Sequence, residues 1–294
     1  MIEFTVNKKA NSIPENFDEF SEKHWFVFMK AICSPHSQSW SDVKIHFLKR
    51  FSSIPFRILY RLSKSKDLYD KEEYLQHCSS IALLSEKLSF FEQLIEVKNN
   101  PLPVLRFGLL GLRRLFPPKA DLANLKTWEM AFAVKYSKEY SVLVSANASQ
   151  MLIDNALNYF IATVYRPSLP LWPILFKAGF SPFDRRRKFH DSLIPVFARR
   201  IASVPLFKKL LILYWFNSSY KNFTEMFPAL FFKADSNNAS DDDDDFSWAD
   251  MIVSAENSMP GDEDKVANSY ASMFLQRLVV NKRNLDKLKS QNKK

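Results

Sequence analysis

The stretch TWEMAFAVKYSKEYSVLVSANASQMLIDNALNYFIATVYRP, residues 127–167, decides the fold class. In its first half Trp128, Phe132, Tyr136, Tyr140 and Leu143 recur every three or four positions, the period of one helix face. Thr127 reads as the N-cap, and Glu129 suits the positive start of the helix dipole. In the second half Leu152, Ala156, Tyr159, Phe160 and Val164 keep the same period until Arg166-Pro167, where the proline disfavours helical backbone in the residue before it. Ala146-Asn147-Ala148-Ser149 is the turn, so residues 124–165 read as a helical hairpin.

The helical period extends outward in both directions. Phe17, Phe20, Trp25, Phe28 and Ile32 predict a helix over 17–33, stopped by Ser34-Pro35. Residues 40–62 read as two short helical pieces split at Pro55, and 71–97 as a longer helix through Tyr74, Cys78, Ile81, Leu84, Leu88, Phe91 and Ile95. Only Ile2, Phe4 and Val6 alternate with period two, which predicts one short N-terminal strand. Between Asn99 and Pro118, prolines and glycines frame VLRFGLLGLRRLF, too apolar for a solvated linker and read as an ordered connector. After the Pro-rich SLPLWPILFKAGFSPF come a basic helix over 184–202 and a helix over 204–225, entered through Ser203 and Pro205. The latter is apolar on nearly every side, which requires partners all round and places it in the core.

Composition agrees. Of 294 residues 47% are hydrophobic, and 27 Phe stand against 4 Gly, a balance that suits helices packed by large side chains better than a turn-rich sandwich. The expected fold is all-α: an irregular multi-helix bundle over residues 1–235, an acidic disordered linker over 236–246 containing Asp241 to Asp245, and a two-helix amphipathic module over 247–294. In that module Ser247-Trp248-Ala249-Asp250 fits a capping signature, Pro260-Gly261-Asp262 makes a break, and the second helix fades into a Lys/Asn-rich tail. Some fifty residues rarely fold alone, so the module should dock on the body or on a partner. Trp248, Met251, Ile252, Tyr270 and Phe274 are its candidate partner-binding residues.

Two cysteines, Cys33 and Cys78, make no disulfide framework, the N-terminus lacks a signal-peptide pattern, and the apolar run from Leu210 to Phe216 is too short to span a membrane. These features predict a cytoplasmic protein without membrane partners. No phosphate-loop, dinucleotide, nucleophile-elbow or zincin motif occurs, so no catalytic residue, cofactor or small-molecule substrate is expected. His24, Cys33, His36 and His46 are of metal-binding type, but their spacing matches no compact zinc pattern, and no metal is expected.

The net charge of +9 includes the five-residue acidic block, so the remainder is more basic still. Arg185, Arg186, Arg187 and Lys188, with Arg199 and Arg200, are candidate contacts for an acidic partner or nucleic acid; Arg50, Arg57, Arg61, Lys64 and Lys66 form another basic cluster. The cluster at 185–188 stands at the start of the expected basic helix, where the dipole disfavours cations, and so needs a reason beyond helix stability.

The order of IPENFDEF, LSEKLSFFEQL, PLPVLRFGLLG, ADLANLKTWEMAFAVKYSKEY, LLILYWFNSSYKNFTEMFPALF and the C-terminal WADMIVSAENSMPGDEDKVANSYASMFLQRL resembles a helical protein family of bacterial prophage-like tail gene clusters. The resemblance covers most of the chain and brings no catalytic residues. It implies a phage-tail assembly chaperone or tape-measure-binding factor that holds an apolar helical partner until polymerisation. The reading is a non-enzymatic protein-binding or assembly protein whose partners are other tail or assembly proteins; the alternative is a nucleic-acid-binding protein that uses its basic helical patches.

Overall fold

The computed structural model describes residues 1–6, 9–35, 39–52, 71–92, 97, 99–107, 113–168, 184, 186–231, 248, 251–252, 266 and 268–291. Among these residues the chain is mostly helical, with two short antiparallel strand pairs. Its contacts divide into two compact units, Met1–Pro101 with Pro205–Trp215, and Leu102–Val204 with Phe216–Lys294. The acidic block and the pieces of 40–62 beyond Ser52 lie outside the described residues.

The first unit opens with a hairpin of β1 (Ile2–Val6) and β2 (Lys9–Ile13), in register from Ile2 opposite Ile13 to Val6 opposite Lys9. Two strands stand where one was expected, because KANSI lacks the alternation that marked β1. Helix α1 spans Glu22–Ile32 and is preceded by a 3-10 turn over Phe17–Glu19, so the expected helix begins later than its aromatics suggest. The boundary is a reciprocal cap: Ser21 Oγ accepts from the His24 amide at 3.3 Å, and His24 Nδ1 accepts from the Ser21 amide at 3.1 Å. Helix α2 (Trp40–Phe51) starts the same way, with Ser39 and Asp42 exchanging bonds of 3.0 and 3.2 Å. Helix α3 (Lys71–Lys87) and a 3-10 turn at Ser89–Glu92 follow.

The core of this unit is a knot of rings. Phe91 is fully buried with its centroid 4.6 Å from Phe28, 5.1 Å from Phe47 and 4.9 Å from Phe90, all near edge-to-face. The early 3-10 turn therefore has a packing role: Phe17 and Phe20 join Trp25 of α1 in this knot, at 5.4 and 4.8 Å.

The His24 cap requires a bare Nδ1, and burial lowers the His24 pKa below its ordinary 6.5; burial lowers His46 likewise. The unfolded chain therefore binds these protons first as pH falls, and stability drops from near pH 6.5 downward until the folded imidazoles are also protonated. Urea midpoints should fall between about pH 7.5 and about pH 5. His24→Gln, which keeps an acceptor without a titrating ring, should flatten part of that slope.

In the second unit β3 (Leu105–Phe107) pairs antiparallel with β4 (Arg113–Leu115), so the connector carries a small ribbon. Helices α4 (Thr127–Ser145) and α5 (Gln150–Val164) form the expected hairpin, and Asn147 at φ 50° turns the chain after α4 in the left-handed conformation that asparagine tolerates. The cap of α4 is Lys126, with Thr127 already helical. The buried face of α4 is Thr127, Glu129, Met130, Ala133, Val134 and Ser137, and the aromatic stripe named from periodicity lies on the half-exposed side. Small residues let α5 approach closely, which outweighs burying rings that can pack at the edge.

The expected basic helix over 184–202 is shorter: a 3-10 turn at Asp191–Leu193 leads into α6 (Ile194–Ile201). Helix α7 (Leu206–Glu225) matches its expected span, with Leu211, Ile212, Leu213, Trp215 and Phe216 all buried. A single turn, α8 (Pro228–Phe231), precedes the C-terminal helix α9 (Ala271–Gln291), which continues well past Leu278, where the sequence suggested fading. Lys, Arg, Gln and Leu are good helix formers, so the basic tail sustains the helix.

Residues near the C-terminus belong to the second unit. The Thr127 amide donates to Ser269 O and the Ala271 amide to Leu125 O, each at 2.9 Å, tying the start of α9 to the start of α4. Trp248 Nε1 donates to Tyr220 Oη at 3.0 Å. Trp248→Phe should cost about 1 kcal/mol by urea denaturation, the usual net worth of one such bond.

Candidate functional site

The start of α4 sits over a buried ionic cluster. Glu129 is fully buried; both its oxygens accept from Arg166 Nη2 at 2.8 Å, and Oε1 accepts from Arg186 Nη1 at 2.6 Å. Arg186 also donates from Nε to Asp184 Oδ1 at 2.9 Å, from Nη2 to Asp184 Oδ2 at 3.0 Å, and to the carbonyls of Val164 and Asn124 at 3.1 and 3.2 Å. Arg166 Nη1 donates to the Arg187 carbonyl, while its Nε has no partner among the described residues. Two guanidiniums face two carboxylates, so formal charge balances.

The two arginines respond differently. For Arg166 burial dominates and lowers the pKa, with the neighbouring Arg186 adding to the effect against the pull of Glu129. For Arg186 burial works the same way, but Glu129 and Asp184 together outweigh it and the pKa rises. Both stay charged at neutral pH because arginine starts so high. The cluster holds three segments at one point: the chain from Asn124 into α4, the end of α5, and residues 184 and 186–187.

Above it opens a cleft of about 290 Å³ lined by Lys126, Trp128, Phe132, Phe189, His190, Asp191 and Asn268. Phe132 stands 5.7 Å from Trp128 and 5.7 Å from Phe189, and the row continues through Tyr136 at 6.1 Å to Tyr159, 5.4 Å beyond. The Arg166 guanidinium lies 5.9 Å from the Phe189 ring, linking the cleft wall to the cluster beneath. Lys126 Nζ lies 3.5 Å above the Tyr270 ring. Burial, reinforced by Glu139, raises the Tyr136 pKa, so its phenol stays protonated.

His190, Asp191 and Ser192 are adjacent in this wall, but they do not form a catalytic relay. Ser192 Oγ lies 3.1 Å and Asp191 3.6 Å from the same ring nitrogen, Nδ1, whereas a relay needs nucleophile and orienting carboxylate on opposite nitrogens. Among the described residues no group of three or more His, Cys, Asp or Glu is placed to hold a metal. His24 Nδ1 is engaged in its cap, and burial raises the Cys33 thiol pKa, which keeps it protonated. His36 and the Cys78 side chain lie outside the described residues.

The predicted site residues fall into three groups. Trp248, Ile252 and Phe274 are buried and Met251 and Tyr270 half-buried, so the apolar stripe assigned to a partner is largely covered within the chain. Arg186 is buried in the cluster, and the helix whose dipole it seemed to oppose begins only at Ile194, which removes the objection to its position. Arg187, Lys188, Arg199 and Arg200 are exposed, whereas Arg185 lies outside the described residues, as do Arg57, Arg61, Lys64 and Lys66. Sequence reasoning missed the pairing of Glu129 with Arg166 and Arg186.

No protein-family model matches the chain, and no curated protein or solved structure matches it.

Proposed function

We propose that this is a non-enzymatic protein-binding or assembly protein whose cleft at the start of α4 receives an aromatic or long apolar side chain of a partner. The observation that carries this reading is the aromatic row Trp128, Phe132, Tyr136, half-exposed on a helix whose inward face is Thr127, Glu129, Met130, Ala133, Val134 and Ser137. The cleft, about 290 Å³, is at the lower limit of cofactor-sized sites and suits one large side chain. Aromatic walls on a rigid base are the usual seat of interface hot spots, and the ionic cluster supplies the base.

The narrower role, a phage-tail assembly chaperone or tape-measure-binding factor, is supported by the order of sequence motifs. Its test is co-expression with a tape-measure protein. The wild-type chain should raise the partner's soluble yield and co-purify with it, and Phe132→Glu should abolish both. Equal yield with the variant contradicts the cleft as the docking site, and no effect of the wild type contradicts the chaperone role.

A second reading, nucleic-acid binding, draws on exposed Arg187 and Lys188 next to Phe189 of the cleft wall, since cations beside stackable rings suit single strands. Asp191 in the same wall opposes it. Binding of a single-stranded oligonucleotide that weakens steeply with salt and is lost in Arg187→Ala/Lys188→Ala would establish it; no binding at low salt removes it.

A further inference from the structure

Among the described residues, the outer half of α9 presents an apolar seam that runs from half-buried Leu278 to exposed leucines. Phe274 and Leu275 bury the helix's root, Lys282 Nζ is held by the Ala229 carbonyl at 2.6 Å, and beyond that level Leu285 and Leu288 are 57% and 56% exposed. Leu278, Asn281, Leu285 and Leu288 follow the 3-4 alternation of a heptad seam, one face of a helix running to Gln291. Arg277 and Lys282 occupy the flanking positions, with exposed Arg283 and Lys287 nearby, and Asp286 is the only acidic residue between 271 and 291.

We infer that this seam docks an amphipathic partner helix carrying acidic residues beside its own apolar seam. Charge selects that occupant. A second copy in parallel would set Arg277 against Lys282 of its mate, and an antiparallel copy would again set cation against cation, so self-pairing is disfavoured. An anionic bilayer would satisfy the charge but not the seam: Val280 to Leu288 contains no Trp or Phe, and Asn281 sits in the middle of the apolar line. Asparagine at a seam position lowers affinity but fixes register in helix pairs, which is a property of a protein interface.

The test uses the full chain and two synthetic helical peptides with the same leucine seam and an asparagine to meet Asn281, one flanked by Glu and one by Lys. The Glu peptide should bind, more tightly at low salt, and the Lys peptide about tenfold or more weaker. Leu285→Ser/Leu288→Ser should weaken the Glu peptide by about tenfold or more with the far-UV spectrum unchanged, since both leucines are exposed. Arg277→Glu/Lys282→Glu should reverse the preference between peptides. Equal binding of both peptides, indifference to the leucine substitutions, or failure of the reversal overturns the inference. So does self-association of the chain in sedimentation, or retention on phosphatidylglycerol vesicles without peptide binding. The seam is independent of the cleft: Phe132→Glu should leave peptide binding unchanged, so failure of one surface is distinguishable from failure of the other.

Discussion

Glu129→Ala is expected to destabilise the second unit by about 3–5 kcal/mol, the cost of breaking a buried charge network from one side. The carboxylate is fully buried and accepts from both Arg166 and Arg186, so its loss leaves two buried guanidiniums facing Asp184 alone. Charge, and not the volume removed, should dominate. Replacing the set together, Glu129→Met with Arg166→Met, Asp184→Asn and Arg186→Leu, should recover much of the loss, because uncharged groups of similar size remove the desolvation penalty along with the attraction. Amide exchange in α4 and α5 reports the effect directly. If the single variant is as stable as wild type, the cluster does not hold those segments together. Because Arg166 backs Phe189, Glu129→Ala should also weaken partner binding at the cleft.

Phe91→Ala is the counterpart in the first unit, with an expected loss of about 3–5 kcal/mol read from amide exchange in α1 and α2. Phe91 is fully buried among rings: the centroids of Phe28, Phe47 and Phe90 lie within 5.1 Å of its own. Removing it leaves a cavity that the remaining rings cannot fill without leaving their edge-to-face arrangements. Phe91→Leu should recover more than half of the loss, since it restores most of the apolar volume. A cost below about 1 kcal/mol for the alanine variant would mean that the knot repacks freely, contrary to the close packing described.

Much of the helical framework was legible because large apolar residues repeat with a helical period, and α7 and the α4–α5 hairpin follow it closely. Periodicity failed where a helix is apolar on two sides. In α4 it marked Trp128, Phe132 and Tyr136 as the apolar face, yet the buried face carries Ala133 and Ser137, and Trp128 and Phe132 line the cleft. That error is informative, since the surplus aromatics are the candidate site. The start of α1 was misplaced because its cap uses His24, not the Glu or Gln of the usual pattern. Strand β2 was missed for want of alternation. The ionic cluster could not be assembled from sequence, because Glu129, Arg166, Asp184 and Arg186 meet only after the hairpin closes.

In the proposed function, the half-exposed aromatic row at the start of α4 is the surface that meets a protein partner. The most direct measurement is site-specific photocrosslinking in the native host, with a benzophenone amino acid at position 132 and, as control, at exposed Ala123. The expected result is a discrete protein adduct at 132, the same partner identified by mass spectrometry in repeated experiments, absent at 123 and suppressed by Trp128→Ala. Adducts confined to nucleic acid at 132, or the same adduct pattern at both positions, would contradict it.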